Sequence, residues 1–223
     1  MEKHKVKIIE AFPVTHDVRG FRLERPGGYD FIPGQATEVA IYKPEWEEEQ
    51  RPFTFTSLPE DDHLEFIIKM YPSHQGMTHE LRHLRKGDEL IIHEVFGAIQ
   101  YRDEGLFIAG GAGVTPFIAI LRHLHRQNRV EGNSLIFANR SRKDIILEEE
   151  LKEILGKNLV SVLSEEEADG YLHGFVTREI IEKYLKEHHK NAYVCGPEPM
   201  MDMVFEHLSD LWIEEDAIVR EDL

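Results

Sequence analysis

Cysteine and long apolar runs are scarce in this 223-residue sequence. Its single cysteine excludes a disulfide framework, a four-cysteine zinc site and an iron–sulfur cluster held by the chain itself, because such a cluster needs about four ligands. No stretch approaches the roughly 18 consecutive apolar residues of a membrane span, and the initial MEKHKVKIIE lacks the apolar core of a signal peptide. The composition therefore predicts a cytoplasmic protein without a membrane span, in which any redox chemistry uses an organic cofactor.

Positive charge is scarce as well, with 26 Lys and Arg residues against 42 Asp and Glu residues and a net charge of −16. Nucleic-acid binding needs a basic face, so we expect no nucleic-acid partner, and a strongly acidic protein partner is disfavoured. The acidic runs Glu45–Glu49 and Glu165–Glu167 are interpreted as solvated surface. The content of 41% hydrophobic residues and the chain length suit two small globular domains.

The first part of the chain carries short β-branched and aromatic runs broken by Gly, Pro and Asp. This pattern predicts an antiparallel β-barrel, interrupted by one helix at Met77–Leu84. The predicted strands include Val6–Phe12, Thr37–Ile41, Pro52–Thr56, Leu64–Met70 and Glu89–His93.

Beyond Tyr101 the pattern changes to strands and helices in alternation, which predicts an α/β domain with a parallel, Rossmann-like sheet. We therefore predict two domains, residues 1–101 and residues 102–223. The predicted strands of the second are Leu106–Ala109, Ser134–Ala138, Leu159–Leu163 and Ala192–Cys195. Its predicted helices are Pro116–Arg126, Ile145–Ile154, Thr177–Leu185 and Glu198–Leu208.

A glycine-rich turn, Gly110-Gly-Ala-Gly-Val-Thr-Pro116, follows the first buried strand of the second domain. Thr115 is predicted to be the N-cap of the next helix and Pro116 its first residue, so that the helix N-terminus faces a pyrophosphate. The alternative is a tight turn without a ligand. Cys195-Gly-Pro197 ends a later strand, and because ligands bind outside the carboxyl ends of such strands, both motifs are predicted to line one crevice. Alternatively, Cys195 is a small buried core residue.

In the first domain, Arg51-Pro-Phe-Thr-Phe-Thr-Ser57 combines a bidentate cation, an aromatic face and hydroxyls along one strand. The alternative is an edge strand with an ordinary exposed arginine. Gly76-Met77-Thr78 begins the helix and is a second candidate phosphate-binding N-terminus.

These motifs resemble those of the ferredoxin–NADP reductase superfamily, whose flavin motif is similar to Arg51-Pro-Phe-Thr-x-x-Ser57 and whose two nucleotide motifs are similar to Gly110–Pro116 and Cys195–Pro197. Ile67-Ile-Lys-Met-Tyr71 followed by Gly76-Met-Thr78 looks like the cytochrome b5 reductase branch and the flavodoxin reductase-like proteins. The resemblance implies a ferredoxin-reductase-type fold and an FAD-dependent NAD(P)H reductase that passes a hydride to FAD. The expected acceptor is a ferredoxin, a flavodoxin, a haem protein, an oxygenase component or a small molecule.

The resemblance also implies roles for individual residues. Arg51 pairs with the FAD pyrophosphate, Phe53 packs on the flavin ring where the family has tyrosine, and Thr54 hydrogen-bonds near flavin N5. Cys195 lies against the nicotinamide and Glu221 supplies a carboxylate near the flavin, which makes Thr54, Cys195 and Glu221 the candidate catalytic residues. The other residues implied in FAD binding are Pro52, Ile67, Lys69, Tyr71, Gly76, Met77 and Thr78. Those implied in dinucleotide binding are Gly110, Gly111, Gly113, Thr115, Pro116, Asp144, Gly196, Pro197 and Met200.

The choice between NADH and NADPH depends on the loop Asn139-Arg-Ser-Arg-Lys-Asp144. An acidic residue there accepts hydrogen bonds from the ribose hydroxyls and repels a 2′-phosphate, whereas arginines attract one. Both kinds are present. Asp144-Ile-Ile-Leu147 resembles the pattern of NADH-using cytochrome b5 reductases, so NADH is the expected donor.

Two other functions compete with this interpretation. His79-Glu80-Leu-Arg-His83 spells the H-E-x-x-H motif of zinc hydrolases, in which two histidines bind the metal and the glutamate acts as base. No downstream third-ligand pattern accompanies it, and a solvated helix face explains the pair, so no metal site is predicted. A non-catalytic nucleotide-binding module is the other alternative, and it would be marked by loss of Arg51 or Cys195.

Overall fold

A computed structural model describes residues 3–71 and 76–221 of the chain. The chain divides into two compact units, Met1–Gly97 and Ala98–Leu223. The sequence-based boundary at 101/102 falls just inside the second unit. Among the helices of the described ranges, none has the length and apolarity to cross a membrane.

The first unit is built on six antiparallel strands in the order β4-β3-β6-β1-β2-β5. They are β1 (His4–Pro13), β2 (Val18–Glu24), β3 (Ala36–Ile41), β4 (Arg51–Thr54), β5 (His63–Lys69) and β6 (Glu89–Phe96). An isolated bridge between Phe55 and Phe66 joins the chain after β4 to β5, which brings the two ends of the sheet together. The predicted antiparallel barrel is thus confirmed.

Aromatic rings fill the centre of this barrel because alternate residues of each strand face inward. Phe55 and Phe66 are fully buried, and their ring centroids lie 5.1 Å apart. Phe31 stacks on Phe55 at 4.3 Å. The core of the first unit is therefore assembled around the segment that follows Arg51.

The one helix described in this unit, α1 (Met77–Leu81), begins where the sequence predicts but ends three residues before the predicted Leu84. Beyond Leu81 the backbone hydrogen bonds span three residues. The N–H of His83 donates to the carbonyl of Glu80, and the N–H of Leu84 donates to the carbonyl of Leu81. The chain tightens into turns there and leaves the α-helical path.

The second unit contains six parallel strands in the order β10-β9-β8-β7-β11-β12. They are β7 (Gly105–Gly110), β8 (Ser134–Asn139), β9 (Leu159–Leu163), β10 (Leu172–His173), β11 (Asn191–Cys195) and β12 (Ile218–Val219). The helices between them are α2 (Thr115–Arg126), α3 (Glu148–Leu155), α4 (Arg178–Tyr184) and α5 (Glu198–Asp210). The predicted parallel α/β domain is confirmed.

Strand order reverses between β7 and β11, because the chain moves outward through β8, β9 and β10 and then returns to the other side of β7. In open parallel sheets, ligands bind outside the carboxyl ends of the strands at such a switch point. Gly110 and Cys195 end the two strands that flank it.

Candidate functional site

The two nucleotide motifs of the second unit pack tightly against each other at the switch point. A Cβ atom on Gly113 would lie 2.4 Å from the carbonyl oxygen of Cys195, and one on Gly110 would lie 2.6 Å from Sδ of Met200. A Cβ on Gly196 would lie 2.7 Å from the methyl group of Met200. The structure therefore brings these residues together, and the demand for glycine is strictest at Gly113, whose added Cβ would meet backbone atoms.

Gly111 differs from these glycines because its surroundings are open. Its φ is +51°, a conformation that favours glycine, and no atom lies within 4 Å of the place where a Cβ would be. Gly111–Val114 form a 3-10 turn directly after β7. The space above Gly111 is therefore open to a ligand that approaches the backbone closely.

The prediction that Thr115 caps helix α2 is wrong. The helix begins at Thr115 and its N-cap is Val114, with no side-chain cap. The 3-10 turn runs straight into the helix, and the Thr115 hydroxyl donates to the carbonyl of Ala112 at 3.0 Å. Pro116 stays in the first turn of the α-helix. The 3-10 turn and α2 thus form one continuous helical segment that begins at Gly111. The free N–H groups at its N-terminus are those of Gly111 to Gly113.

Cys195 is partly buried at the carboxyl end of β11. Burial and the negative charge of Glu221 raise the pKa of the Cys195 thiol to about 12. The carboxylate of Glu221 also accepts a hydrogen bond from the N–H of Ala98 at 3.3 Å. At neutral pH Cys195 is accordingly a neutral thiol that can pack against or hydrogen-bond to a ligand, and it lacks the thiolate that a nucleophile needs.

Asn139, at the carboxyl end of β8, is a buried residue that sequence reasoning does not single out. It is only 8% exposed, and neither polar atom of its amide has a hydrogen-bond partner among the described residues. Buried amides are normally paired, so a polar ligand or a water molecule is expected to complete this one. Its burial at a strand end, the signal that marks it, is visible only in the fold.

The loop after β8 holds Asp144 in a defined position. The carboxylate of Asp144 accepts hydrogen bonds from the N–H of Ser141 at 2.9 Å and from its hydroxyl at 2.5 Å. The N–H of Asp144 donates in turn to the side chain of Ser141. These reciprocal hydrogen bonds form a capping box for a short 3-10 turn, Arg142–Asp144. The predicted helix start at Ile145 is wrong, because Leu147 adopts a left-handed φ of +50° and α3 begins only at Glu148.

In the first unit, the guanidinium of Arg51 and the N-terminus of α1 converge on one carboxylate. Arg51 donates to Oε1 of Glu49 at 2.9 Å, and the N–H of Met77 donates to the same oxygen at 3.2 Å. Gly76 borders this oxygen, since a Cβ there would lie 3.5 Å from it. The carboxylate of Glu49 thus lies between the residues predicted to hold a phosphate, in the position predicted for a phosphate oxygen.

The remaining predicted residues of the first unit lie along β4, β5 and α1. Phe53 is partly buried and packs against the barrel core, with its ring centroid 6.5 Å from that of Phe66. Thr54 is also partly buried, whereas Arg51 and Pro52 are exposed. Their arrangement keeps part of the Phe53 face and of Thr54 accessible beside Arg51.

The predicted β5 residues differ in their surroundings. Ile67 is 4% exposed and lies two residues before Lys69, whose ammonium binds Asp17 at 3.1 Å. Tyr71 is 45% exposed and follows the strand. Thr78 is partly buried in the first turn of α1.

The H-E-x-x-H residues take part in contacts other than a metal-binding cluster within the described ranges. Glu80 binds the ammonium of Lys43 at 2.6 Å, and this hydrogen bond lowers the pKa of the Glu80 carboxyl. His83 lies beyond the end of α1 and receives a hydrogen bond from Arg82 at 3.0 Å. No third His, Cys, Asp or Glu within 3–71 and 76–221 joins His79 and His83 in a metal-binding cluster.

Both units match known protein families. Residues 5–101 match the oxidoreductase FAD-binding domain. Residues 107–206 match the oxidoreductase NAD-binding domain. The two matches correspond to the two units and contain the Arg51 and Gly110–Pro116 motifs respectively.

Curated relatives cover nearly the whole chain. The reductase component of propane 2-monooxygenase from Mycolicibacterium goodii is 28% identical over 233 residues, which is 96% of this chain and 66% of that protein. NADH–cytochrome b5 reductase 1 from Arabidopsis thaliana is 31% identical over 215 residues, which is 87% of this chain and 75% of that protein. The chain thus spans 62–66% of the length of three such propane 2-monooxygenase reductase components.

Solved structures share the fold. The flavohaem-like FAD/NAD-binding domain of nitric oxide dioxygenase from Vibrio cholerae superposes with a TM-score of 0.86 at 22% identity and covers 96% of both chains. A ferredoxin NADP+ reductase from Neisseria gonorrhoeae, solved with FAD and NADP, gives a TM-score of 0.82 at 19% identity and covers 94% of this chain and 92% of that one.

Proposed function

We propose, because this chain belongs to the ferredoxin–NADP reductase superfamily, that it is an FAD-dependent NAD(P)H reductase which delivers electrons to a separate acceptor. The observation that carries the proposal is the carboxylate of Glu49, held by Arg51 and by the N–H of Met77 as a phosphate oxygen would be. We take the flavin domain as residues 1–101 and the nucleotide domain as residues 102–223.

The residues of the first unit suit FAD. Arg51 and the N–H groups of Gly76–Thr78 would hold its pyrophosphate, and Phe53 would offer an aromatic face to the ring. The hydroxyl of Thr54 would donate a hydrogen bond near flavin N5. Pro52, Ile67, Lys69 and Tyr71 would border the cofactor. When bound, FAD supplies the capacity to accept a hydride and release its electrons singly or in pairs.

The residues of the second unit suit a dinucleotide. The N–H groups of Gly111–Gly113 would bind its pyrophosphate, with Gly110, Thr115 and Pro116 supporting the turn. Cys195, Gly196, Pro197 and Met200 would form the wall against which the nicotinamide lies. Asn139 would gain the polar partner that its amide lacks among the described residues. The neutral thiol of Cys195 would position the nicotinamide ring, and the carboxylate of Glu221 would lie near the flavin. Holding the reacting groups in a fixed geometry lowers the barrier to hydride transfer.

We propose NADH as the preferred donor. Asp144, fixed by Ser141, would accept hydrogen bonds from the ribose hydroxyls and repel a 2′-phosphate. The relatives include proteins named as NADH–cytochrome b5 reductases, which supports the same choice.

The acceptor is proposed to be a separate protein of the kind that the relatives' names imply. Those names include reductase components of a monooxygenase and of a dioxygenase system with a ferredoxin, and cytochrome b5 reductases. An oxygenase component, a ferredoxin or a haem protein is therefore the first class to test, with a flavodoxin or a small acceptor next.

The test is an absorbance spectrum of the purified protein, reconstituted with FAD and titrated anaerobically with NADH and then NADPH. We expect a flavin spectrum that NADH bleaches, and loss of most bound FAD in Arg51→Gln. Arg85→Gln is the matched control, because it removes the same charge from an exposed side chain of the same unit that has no part in the proposed phosphate site. A protein that binds no FAD, or whose flavin is not reduced by either nucleotide, would overturn the proposal.

A further inference from the structure

Two loops at the carboxyl edge of the parallel sheet are tied together. One follows β8 at Asn139–Asp144, and the other follows β9 at Ser164–Glu167. The N–H of Ser164 donates to the carbonyl of Asn139 at 3.0 Å, and the N–H of Glu165 donates to that of Arg140 at 2.9 Å. The backbone thereby fixes which side chains of the two loops meet.

Both arginines of the first loop meet a glutamate of the second. Nε of Arg142 lies 2.6 Å from Oε1 of Glu166, and the N–H of Arg142 donates to Oε2 of Glu166 at 2.9 Å. Nε of Arg140 lies 3.8 Å from Oε1 of Glu165. The distance between the charged groups is therefore much shorter in the Arg142–Glu166 pair than in the Arg140–Glu165 pair. Both carboxylate oxygens of Glu166 accept hydrogen bonds from Arg142.

The Arg142–Glu166 contact is an ion pair between two charged groups. Hydrogen bonds from the backbone and guanidinium of Arg142 lower the pKa of Glu166, and Glu166 raises the pKa of Arg142. The carbonyl of Glu166 is held in turn by Nδ1 of His173 at 3.1 Å. Glu166 is therefore charged and anchored at neutral pH.

The Arg142–Glu166 ion pair bears on the choice between NADPH and NADH. NADPH differs from NADH by a phosphate on the adenosine ribose, and a guanidinium in the loop after the second strand of such a domain is the group that accommodates it. Arg142 is in that loop, but Glu166 neutralises its charge. Asp144 adds a further negative charge in the same turn.

We infer that Glu166 is a specificity-determining residue that disfavours NADPH by neutralising Arg142, the cation that a 2′-phosphate would otherwise engage. The inference rests on the proposed function, because it assumes that the adenosine ribose lies at this loop. Glu165 acts in the same sense on Arg140, more weakly because that pair is longer and more exposed.

The experiment is isothermal titration of the FAD-loaded protein with NAD+ and with NADP+, which measures equilibrium binding without turnover. We expect Glu166→Gln to tighten NADP+ binding by about fivefold, the upper end of the scale for a partly exposed ion pair such as Arg142–Glu166. The affinity for NAD+ should change by no more than about twofold, since NAD+ lacks the group that Arg142 engages. The ratio of kcat/KM values for NADPH and NADH should rise in parallel.

Two further variants isolate the mechanism. Glu167→Gln removes the same charge from an exposed neighbour in the same loop, and it should leave NADP+ affinity nearly unchanged. Adding Arg142→Ala to Glu166→Gln should abolish the gain. Equal gains in Glu166→Gln and Glu167→Gln, or a gain that survives Arg142→Ala, would overturn the inference. A wild-type protein that binds neither NAD+ nor NADP+ would instead overturn the proposed function.

Discussion

The carboxylate of Glu49 lies where a flavin phosphate is proposed to bind, so the two anions compete for Arg51. Displacing Glu49 breaks a partly exposed ion pair, in which the two side chains are 31% and 53% exposed. Pairs of this kind are worth about 0–1 kcal/mol. If FAD binds as proposed, Glu49 would therefore weaken its binding by a modest amount.

We predict that Glu49→Gln binds FAD about two- to fivefold more tightly than the wild type, which corresponds to the upper part of that range of ion-pair strength. Fluorescence titration of the flavin-free protein with FAD measures the dissociation constant. Glu48→Gln is the control, because it removes the same charge from the adjacent, exposed side chain. Weaker binding in Glu49→Gln would mean that Glu49 helps to hold the cofactor.

Sequence reasoning finds Arg51, Cys195 and the glycines because each belongs to a motif with fixed spacing. It takes Glu49 and Glu166 as solvated surface, since a run of glutamates has no local feature that separates a paired member from an exposed one. Only the fold brings Glu166 beside Arg142, which is 24 positions away in sequence. Asn139 is named from the sequence only as the first residue of the loop after β8, because the burial of its amide is visible only in the fold.

At the scale of elements, the glycine turn and the end of β11 form one packed unit. A methyl group on Gly113 would overlap backbone atoms of Cys195 and Gly196, and these atoms cannot move aside as a flexible side chain would. The glycine turn therefore cannot shift without displacing Cys195 and Gly196, which form part of the wall of the proposed nicotinamide site.

We predict that Gly113→Ala destabilises the protein by about 1–3 kcal/mol, the usual cost of overpacking a buried contact. It should also weaken NAD+ binding, because relief of the overlap displaces the turn or Cys195. Thermal unfolding and calorimetry measure the two effects. Gly27→Ala serves as the comparison, since nothing lies within 4 Å of its added Cβ. Unchanged stability and NAD+ affinity in Gly113→Ala would contradict the packing argument.

Elements with strong hydrophobic runs are predictable, and weakly patterned ones are not. Every residue of β7 is buried, so the strand is visible in the sequence as an unbroken apolar run. Strand β2 is not among the strands named from the sequence, and in the fold the ring of Phe12 lies over its Gly20. Strands β10 and β12 are not among the named strands either, because each has two residues.

At the scale of the whole molecule, the net charge of −16 acts on any charged acceptor. Long-range attraction or repulsion is strong at low salt, where the Debye length is about 30 Å at 0.01 M, and weak at 0.15 M, where it is about 8 Å. The acceptor's charge should therefore decide how salt affects electron delivery.

We predict that added salt slows reduction of hexaammineruthenium(III), a cation, and speeds reduction of ferricyanide, an anion. Attraction is screened in the first case and repulsion in the second. The two salt effects are measured by stopped flow, as the rates at which the flavin-reduced protein reduces each acceptor at about 0.01 M and about 0.15 M NaCl. Salt effects of the same sign for the two acceptors would contradict the prediction.

The closure of the barrel by the Phe55–Phe66 bridge and the two-residue length of β10 and β12 have a shared consequence for aggregation. An unpaired strand edge is a template on which another chain can add a strand. In the first unit the two outer strands meet each other, and in the second the outer strands are too short to template a partner. Within the part of the chain that the structure describes, these two features reduce the strand edge from which intermolecular sheets or fibrils could grow.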